Sequence, residues 1–480
     1  MSQPKARKLA YRLAQQIAKD ILEQGLEEGT PIGKEPDLLK KYQVSRDSFR
    51  EAVRILEWQG IAKSLRGASG GLQVGSPASE AISNLLRDYL QLVDTPIKHL
   101  IEASRALNAL TVKILTSTMD REGSEKLLKL TAERKVLHGS QKKEQIALWN
   151  VFKEMGRLTN NPALALFLAP INEVLTSIAQ NIRVNDKDSF IIEGQKGWRN
   201  IHKCIEAIIA GDDATAITYM NYYLDQVEQY TTLRTNESST PNRTQRKPTY
   251  PSWLKETNNK MAQSFMYQLH HDIHSKQLQP GDRIGLEADL TLKYGISRSI
   301  FREAVRMLEM IGLVEHRKGR VGGLVVAKPD SSGIVPTIAI FLGYMDFDFE
   351  KLNEARTSIE MKVAQLAATN INEESAKLLT KALTLEQEAS DEEFISAAMN
   401  MHTLINRIAD NGVFSLFIDV MLNSRIFKIE DQRRAKKALK NAQKIKNSHS
   451  LIVKAILDKS PPQASRRMIE HRKLMTELLK

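Results

Sequence analysis

Two arginines one helical turn apart occur twice in this chain, each time in the same local setting. SRDSFREAVRILE carries Arg46 and Arg50, and SRSIFREAVRMLE carries Arg298 and Arg302. The serine that opens each stretch, Ser45 or Ser297, can cap a helix by accepting from its first free N–H groups. Phe49, Val53 and Leu56, like Phe301, Val305 and Leu308, recur at the spacing of a buried helix face. A helix that buries its back and offers guanidinium groups at its start suits a DNA major groove. Arginine there pairs bidentately with guanine or clamps a phosphate. For one helix alone, a solvated face with ion pairs to Glu51 or Glu303 would be the better reading. The recurrence, and what surrounds it, decides for DNA.

The surroundings are duplicated too. Gly29 to Val74 and Gly281 to Val326 align without a gap, 252 residues apart, with 24 of 46 positions identical. So long a period is a whole unit repeated within one chain, not a solenoid. In each copy an apolar-periodic helix (Leu9 to Leu26, Met261 to Leu278) precedes a short helix (Glu35 to Tyr42, Glu287 to Tyr294). A tight turn, YQVS or YGIS, leads to the arginine-bearing helix, predicted over Arg46 to Trp58 and Arg298 to Met310. Strand-like pieces then flank glycines 67, 70 and 71, or 319, 322 and 323. Helix, helix-turn-helix and a two-stranded wing is the expected order. The expected DNA contacts are Ser45, Arg46, Ser48, Arg50, Arg66 and Gly67, and Ser297, Arg298, Ser299, Arg302, Lys318 and Gly319.

The chain's chemistry as a whole agrees. A net charge of +12 favours a polyanionic partner over acidic clefts. The one cysteine, Cys204, forms no internal disulfide and suits a reducing cytoplasm. No run of about 18 apolar residues is present to span a bilayer, and the N-terminus lacks a secretory apolar core. Beyond each wing, amphipathic helical windows such as IEASRALNALTVKIL and LNEARTSIEMKVAQLAA replace strand alternation. Arg234 to Ser252 is rich in Ser, Thr, Asn and Pro and reads as a solvated linker. The expected fold is mainly α, with two winged helix-turn-helix domains, 1–76 and 253–329. Each is followed by an antiparallel helical-bundle domain, 77–233 or 330–480, and 234–252 joins the halves.

The pattern E-x-D-L-x(3)-Y-x-[VI]-S-R-x(3)-REA-V-R-x-LE, followed by G-x(2)-GGL-x-V, resembles the winged helix-turn-helix of GntR-type transcriptional regulators. The helical segments behind it resemble the ligand-sensing domain of their FadR-like branch, more closely in the second half than in the first. One departure concerns DNA. The family often has arginine directly after the glutamate that opens the second helix, and this chain has Pro36 and Ala288 there. The resemblance implies a tandem fusion whose two heads meet an inverted-repeat operator of imperfect symmetry, with half-sites near one helical turn apart. Whether the fused chain pairs again as a homodimer stays open.

For the helical domain the resemblance implies a divalent metal, zinc or similar, held by one carboxylate and three histidines. In the second half MHTLINRIADN, HSLIVKAI and MIEHRKL place His402, His449 and His471 in the histidine positions, but Ala398 stands where the carboxylate belongs. Three imidazoles can hold a divalent ion with water completing its shell. Arg356 resembles the arginine that meets an effector carboxylate, so an organic acid is the expected effector. The first half has Phe152, Ile201, Tyr223, Leu148 and Ser104 at the equivalent places, and His202 sits one residue off. It is expected to be degenerate, a structural partner offering at most an apolar pocket.

Other signals weigh less. His270 and His274 in HHDIH have the i, i+4 spacing of a metal pair, but read better as exposed histidines. The basic run Gln432 to Asn447 reads as a solvated helix face. Two competing functions are a metal-dependent enzyme built on His402, His449 and His471, and a non-specific architectural DNA binder. No motif nominates a general base for the first, and it leaves the two reading helices unexplained.

Overall fold

The computed structural model describes residues 5–24, 26–65, 70–75, 79–132, 141–181, 187–237, 260–317, 322–344, 349–424 and 435–479. Arg66, Gly67, Lys318 and Gly319 lie outside them, as does most of the expected linker. The helix Asp213–Glu237 runs four residues into the stretch read as that linker.

The local order Helix–strand–helix–helix–strand–strand occurs twice. The helices are Lys5–Glu23, Glu35–Tyr42 and Arg46–Trp58 in the first half, and Lys260–Ser275, Glu287–Tyr294 and Arg298–Met310 in the second. Each half has a three-stranded antiparallel sheet rather than a two-stranded wing. Gly71–Val74 lies between Pro31–Gly33 and Ala62–Leu65, and Gly323–Val326 lies between Arg283–Gly285 and Val314–Arg317. The third strand is three residues long, too short for any alternation to announce it. It is held by backbone pairing, with a register irregularity before Gly33 and Gly285. Gly71 and Gly323 are needed because a Cβ there would meet the carbonyl oxygen of Gly33 or Gly285 at 2.7 or 2.6 Å.

The chain divides into two compact units, and each draws on both halves. Residues 1–94 and 235–346 form one, and residues 95–234 and 347–480 the other. In the head unit the connecting helices are exchanged. Ser79–Leu92, which follows the first wing, packs on the second head, where Tyr267 Oη donates to Asp88 Oδ1 at 3.0 Å. Val335–Tyr344, which follows the second wing, packs on the first head, where Gln59 donates to Thr337 Oγ1 at 2.8 Å. The two arginine-bearing helices also meet. Arg306 grips Glu51 with both ends of its guanidinium, at 2.5 and 3.2 Å.

The helical unit repeats this reciprocity. Asn161 and Asn411 cap equivalent helices, Pro162–Asn181 and Gly412–Asn423, by accepting from the first free N–H groups. Their amide groups then cross to the other half. Asn161 donates to the Lys351 carbonyl at 3.0 Å, and Asn411 donates to the His99 carbonyl at 3.2 Å and to Glu102 at 2.8 Å. Between these caps Phe167 and Phe417, both fully buried, stack with centroids 4.2 Å apart. The contacts are isologous, as in a two-fold dimer.

Truncating Phe167 or Phe417 to alanine should cost about 3–5 kcal/mol each by cavity formation. Because the rings touch, a double-mutant cycle by denaturant unfolding should give a coupling of roughly 0.5–1.5 kcal/mol. Strict additivity would contradict the stacked pair.

Candidate functional sites

The arginine-bearing helices have the bounds that the sequence predicts, Arg46–Trp58 and Arg298–Met310, because their start and stop signals are local. Ser45 Oγ accepts from the Ser48 N–H and Ser297 Oγ from the Ile300 N–H, each at 3.3 Å. The capping hydroxyls also contact Ser48 Oγ at 3.0 Å and Ser299 Oγ at 2.8 Å. Phe49, Val53 and Leu56 are buried on one helix, and Phe301, Val305 and Leu308 on the other. Ser45, Arg46, Arg50, Ser297, Arg298, Ser299 and Arg302 are exposed, and Ser48 is half-exposed.

Those arginines are steered by glutamates. Glu35, the first residue of its helix, lies 3.4 Å from Arg46 Nε and 3.6 Å from Arg50 Nε. Glu287, its counterpart, takes a hydrogen bond from Arg302 Nε at 3.0 Å. Exposed ion pairs contribute little stability. Their effect is to hold long side chains extended from the helix start. The Arg306–Glu51 grip limits how far apart the two helices can start. A helix rises about 1.5 Å per residue, so helices clasped at Glu51 and Arg306 have their starts less than one duplex turn, roughly 34 Å, apart.

In the helical unit the second half brings His402, His449 and His471 together from three helices. These are Asp391–Ala409, Ala442–Leu457 and Pro461–Leu479. His402 Nε2 lies 3.2 Å from His449 Nε2, and the three donor nitrogens lie within 4.8 Å of one another. Sequence reasoning missed the groups that orient them. His449 Nδ1 pairs with Glu386 Oε1 at 2.6 Å, and both residues are buried. This is the carboxylate–imidazole arrangement that fixes a ligand's tautomer and aims its other nitrogen inward. His471 Nδ1 meets Ser448 Oγ at 3.1 Å. Ala398 packs against Phe394, Ala438 and Ile445 and supplies no ligand.

Arg356 is bound already. Its Nε donates to Glu360 Oε1 at 2.9 Å, and Arg472 Nε lies 3.4 Å from Glu360 Oε2. Arg472 also donates to Asn353. Burial alone would raise the Glu360 carboxyl, but the two guanidiniums, with His402 nearby, outweigh it and hold it at about 2. The i, i+4 spacing of Arg356 and Glu360 was the one signal in the sequence for this pair. Burial, reinforced by His449, pushes His402 down to about 3, and burial lowers His471 strongly as well. Both imidazoles are therefore neutral near pH 7, the form that ligates metal. Three imidazoles, one with a buried carboxylate behind it, fit a divalent ion of the zinc class.

The first half fills the same place with carbon. Phe152 and Tyr223 have centroids 5.4 Å apart and pack with Leu148, Trp198 and buried Ile201. His202 points elsewhere, half-exposed, 3.4 Å from Glu206. Ser104 is buried and hydrogen-bonds Asn108. Cys204 lies in this core, where burial pushes its thiol up to about 12. No helix among the described residues is long and apolar enough to cross a membrane.

Two family models match parts of the chain. Residues 262–325 match the bacterial regulatory proteins of the gntR family, and residues 351–474 match the FCD domain. An uncharacterized HTH-type transcriptional regulator of Bacillus subtilis, YcbG, is 27% identical over 217 residues, 45% of this chain and 89% of its own length. The Uxu operon regulator of Haemophilus influenzae is 30% identical over 151 residues, 30% of this chain and 53% of that protein. The Exu regulon transcriptional regulator of Escherichia coli is 25% identical over 198 residues, 40% of this chain and 73% of that protein.

The depressed His402 value makes the helical unit acid-sensitive. The unfolded imidazole takes up its proton near 6.5, and the folded one only near 3. The contribution is complete above the unfolded value and is lost as pH falls through this window. After chelation, the parent chain should lose stability between about pH 6 and 4, and His402→Gln should flatten that slope. A parent flat across this range would show the imidazole to be freely protonated when folded.

Proposed function

We propose that this transcriptional regulator, with its GntR-family helix-turn-helix at residues 262–325 and its FCD domain at 351–474, carries a second DNA-reading head in its first half. The fused chain then acts as a covalent dimer on a duplex operator. It is a regulator and not an enzyme, as its relatives are. The reading rests on one observation above others. Two capped helices with exposed arginines at their starts are joined by the Arg306–Glu51 contact within one compact unit. Arg46 and Arg298 are the base-reading candidates, and Arg50 and Arg302 read bases or clamp phosphate. Asp47 and Ser48 on one helix stand at the positions that Ser299 and Ile300 take on the other, so the two half-sites differ. Arg66, Gly67, Lys318 and Gly319, outside the described residues, stay candidate DNA contacts on the strength of the sequence, Arg66 and Lys318 to backbone or minor groove. The protein works in the cytoplasm.

The effector site is the histidine cluster of the second helical half. His402, His449 and His471 would hold a divalent ion, which supplies a positive centre for an anionic ligand, and Arg356 lies one helix away. Because Arg356 is paired with Glu360, an organic acid must compete with that carboxylate for it. Such a ligand changes DNA affinity only through unequal affinity for two arrangements of the heads.

Duplexes selected from a random pool by the purified chain should form complexes of one chain per site. They should protect two unlike half-sites on one face of the duplex, near a helical turn apart. Two chains for every pair of half-sites would overturn the covalent-dimer reading. Arg46→Ala and Arg298→Ala should each cost about 1–3 kcal/mol of specific binding. Removing a phosphate contact instead weakens all sequences alike and lowers the salt slope by about one.

Metal analysis of the purified chain against a His402→Ala, His449→Ala, His471→Ala variant tests the sensor. The parent should carry a divalent ion that the variant lacks, and ligand response should disappear with it. Equal metal content in the two proteins removes this ion from the site.

A further inference from the structure

A second cluster of metal-ligating side chains lies in the head unit, where nothing in the family match assigns one. His270 and His274 sit one turn apart on Lys260–Ser275, the first helix of the second head. The structure adds a third group that their spacing could not reveal, Asp94 from the first half. Asp94 follows the exchanged helix Ser79–Leu92 and adopts a left-handed backbone, φ 51°. Its Oδ2 is 2.7 Å from His274 Nε2 and 3.3 Å from His270 Nε2, and the two nitrogens are 3.0 Å apart. The three donor atoms therefore form a small triangle with nearly equal edges.

We infer that Asp94, His270 and His274 form a surface site for a divalent transition-metal ion of the zinc class, stapling the first half's connecting segment to the second head. An ion with bonds of about 2.0–2.1 Å separates its donors by about 3.3 Å in a tetrahedron and about 2.9 Å on an octahedral face. The observed edges of 2.7 to 3.3 Å span that range without rearrangement. Two imidazoles and one carboxylate are the mixed nitrogen and oxygen set that zinc accepts, and they leave positions for water.

The donors are also held in place. Helices Ser79–Leu92 and Lys260–Ser275 are joined next to the site by Tyr267, whose hydroxyl donates to Asp88 and meets Gln91 Oε1 at 3.3 Å. The site is open enough for an ion to enter, since the side chains of Asp94 and His274 are 56% and 53% exposed. It exists once only. The residues that correspond to His270 and His274 in the first head are Ala18 and Leu22, neither of which can ligate.

This site's place in the fold gives it a consequence. Asp94 is the last residue of the head unit before the chain passes into the helical unit. An ion there ties that crossing point to the second head.

The test is zinc titration of the chelator-stripped full chain by calorimetry, with His270→Ala/His274→Ala and Asp94→Asn beside the parent. All three positions lie outside the histidine cluster of the helical unit, so that cluster's zinc binding is common to every protein compared. The parent should bind one equivalent of Zn2+ more than the double-histidine variant, and Asp94→Asn should weaken that equivalent at least tenfold. Circular dichroism confirms that each variant remains folded, and Cu2+ titration of the same proteins gives a second readout of the same equivalent. Identical stoichiometry in parent and double-histidine variant would overturn the site, as would Asp94→Asn binding as tightly as the parent.

Discussion

A buried charge fixes how the heads are built. Arg87 and Asp88 are each only 3% exposed, and they pair through Nε and Nη2 at 3.2 and 3.0 Å. Burying an ion pair costs several kcal/mol of desolvation per ion, and only further hydrogen bonds offset it. Asn84 supplies one, at 2.6 Å from Arg87 Nη1. Tyr267 supplies another, and it comes from the other half of the chain. Burial, with Asp88 beside it, raises the Tyr267 hydroxyl well above its ordinary value, so it stays a donor across the working pH range. The first half's connecting helix thus draws one of its hydrogen bonds from the second head, and both heads share one compact unit.

The same logic explains why the halves could diverge in one unit and not in the other. On the arginine-bearing helices, burial and capping fix most positions, and the exposed starts are free to carry base-reading groups. Both copies accordingly keep serine, arginine and the apolar face. In the helical unit the site lies inside the bundle, where every polar group needs a partner. Retaining three histidines requires retaining Glu386 behind His449 and Ser448 beside His471. Losing them requires filling the volume, and Phe152, Ile201 and Tyr223 do so with side chains of comparable size. Intermediate states, with one imidazole stranded among phenyl rings, are the costly ones. A complete site in one half and a complete apolar core in the other are the two stable outcomes.

What could be read from sequence follows the range of each interaction. The arginine-bearing helices were legible to the residue because a serine cap, a 3.6-residue apolar period and a glycine stop are local signals. Gly60 and Gly312 provide that stop, at φ 71° and 74°. The third strand of each sheet was not legible, since three residues held by backbone pairing leave no side-chain pattern. His402, His449 and His471 were placed through family resemblance, yet Glu386, which lies on another helix outside the motifs, was invisible to it, and Arg472, next to His471 in MIEHRKL, carried no local mark of its pairing with Glu360. Asp94 was hidden for the strongest reason. It is 176 residues from His270 in the chain, and only the exchange of connecting helices brings the two together.

That exchange also sets what a signal must do. The clasp between Glu51 and Arg306 joins the two arginine-bearing helices, and the Gln59–Thr337 and Tyr267–Asp88 contacts tie each head to the other half's connecting helix. With both ends held, the heads have little freedom to change their spacing by small continuous shifts. A ligand must instead select between discrete packings of these contacts, as close-packed interfaces require. The chain passes between the two units at residues 94/95, 234/235 and 346/347, so any such choice is communicated through few connections. Two of those crossings directly follow the exchanged helices. A ligand moves such an equilibrium only by as much as its affinities for the two arrangements differ.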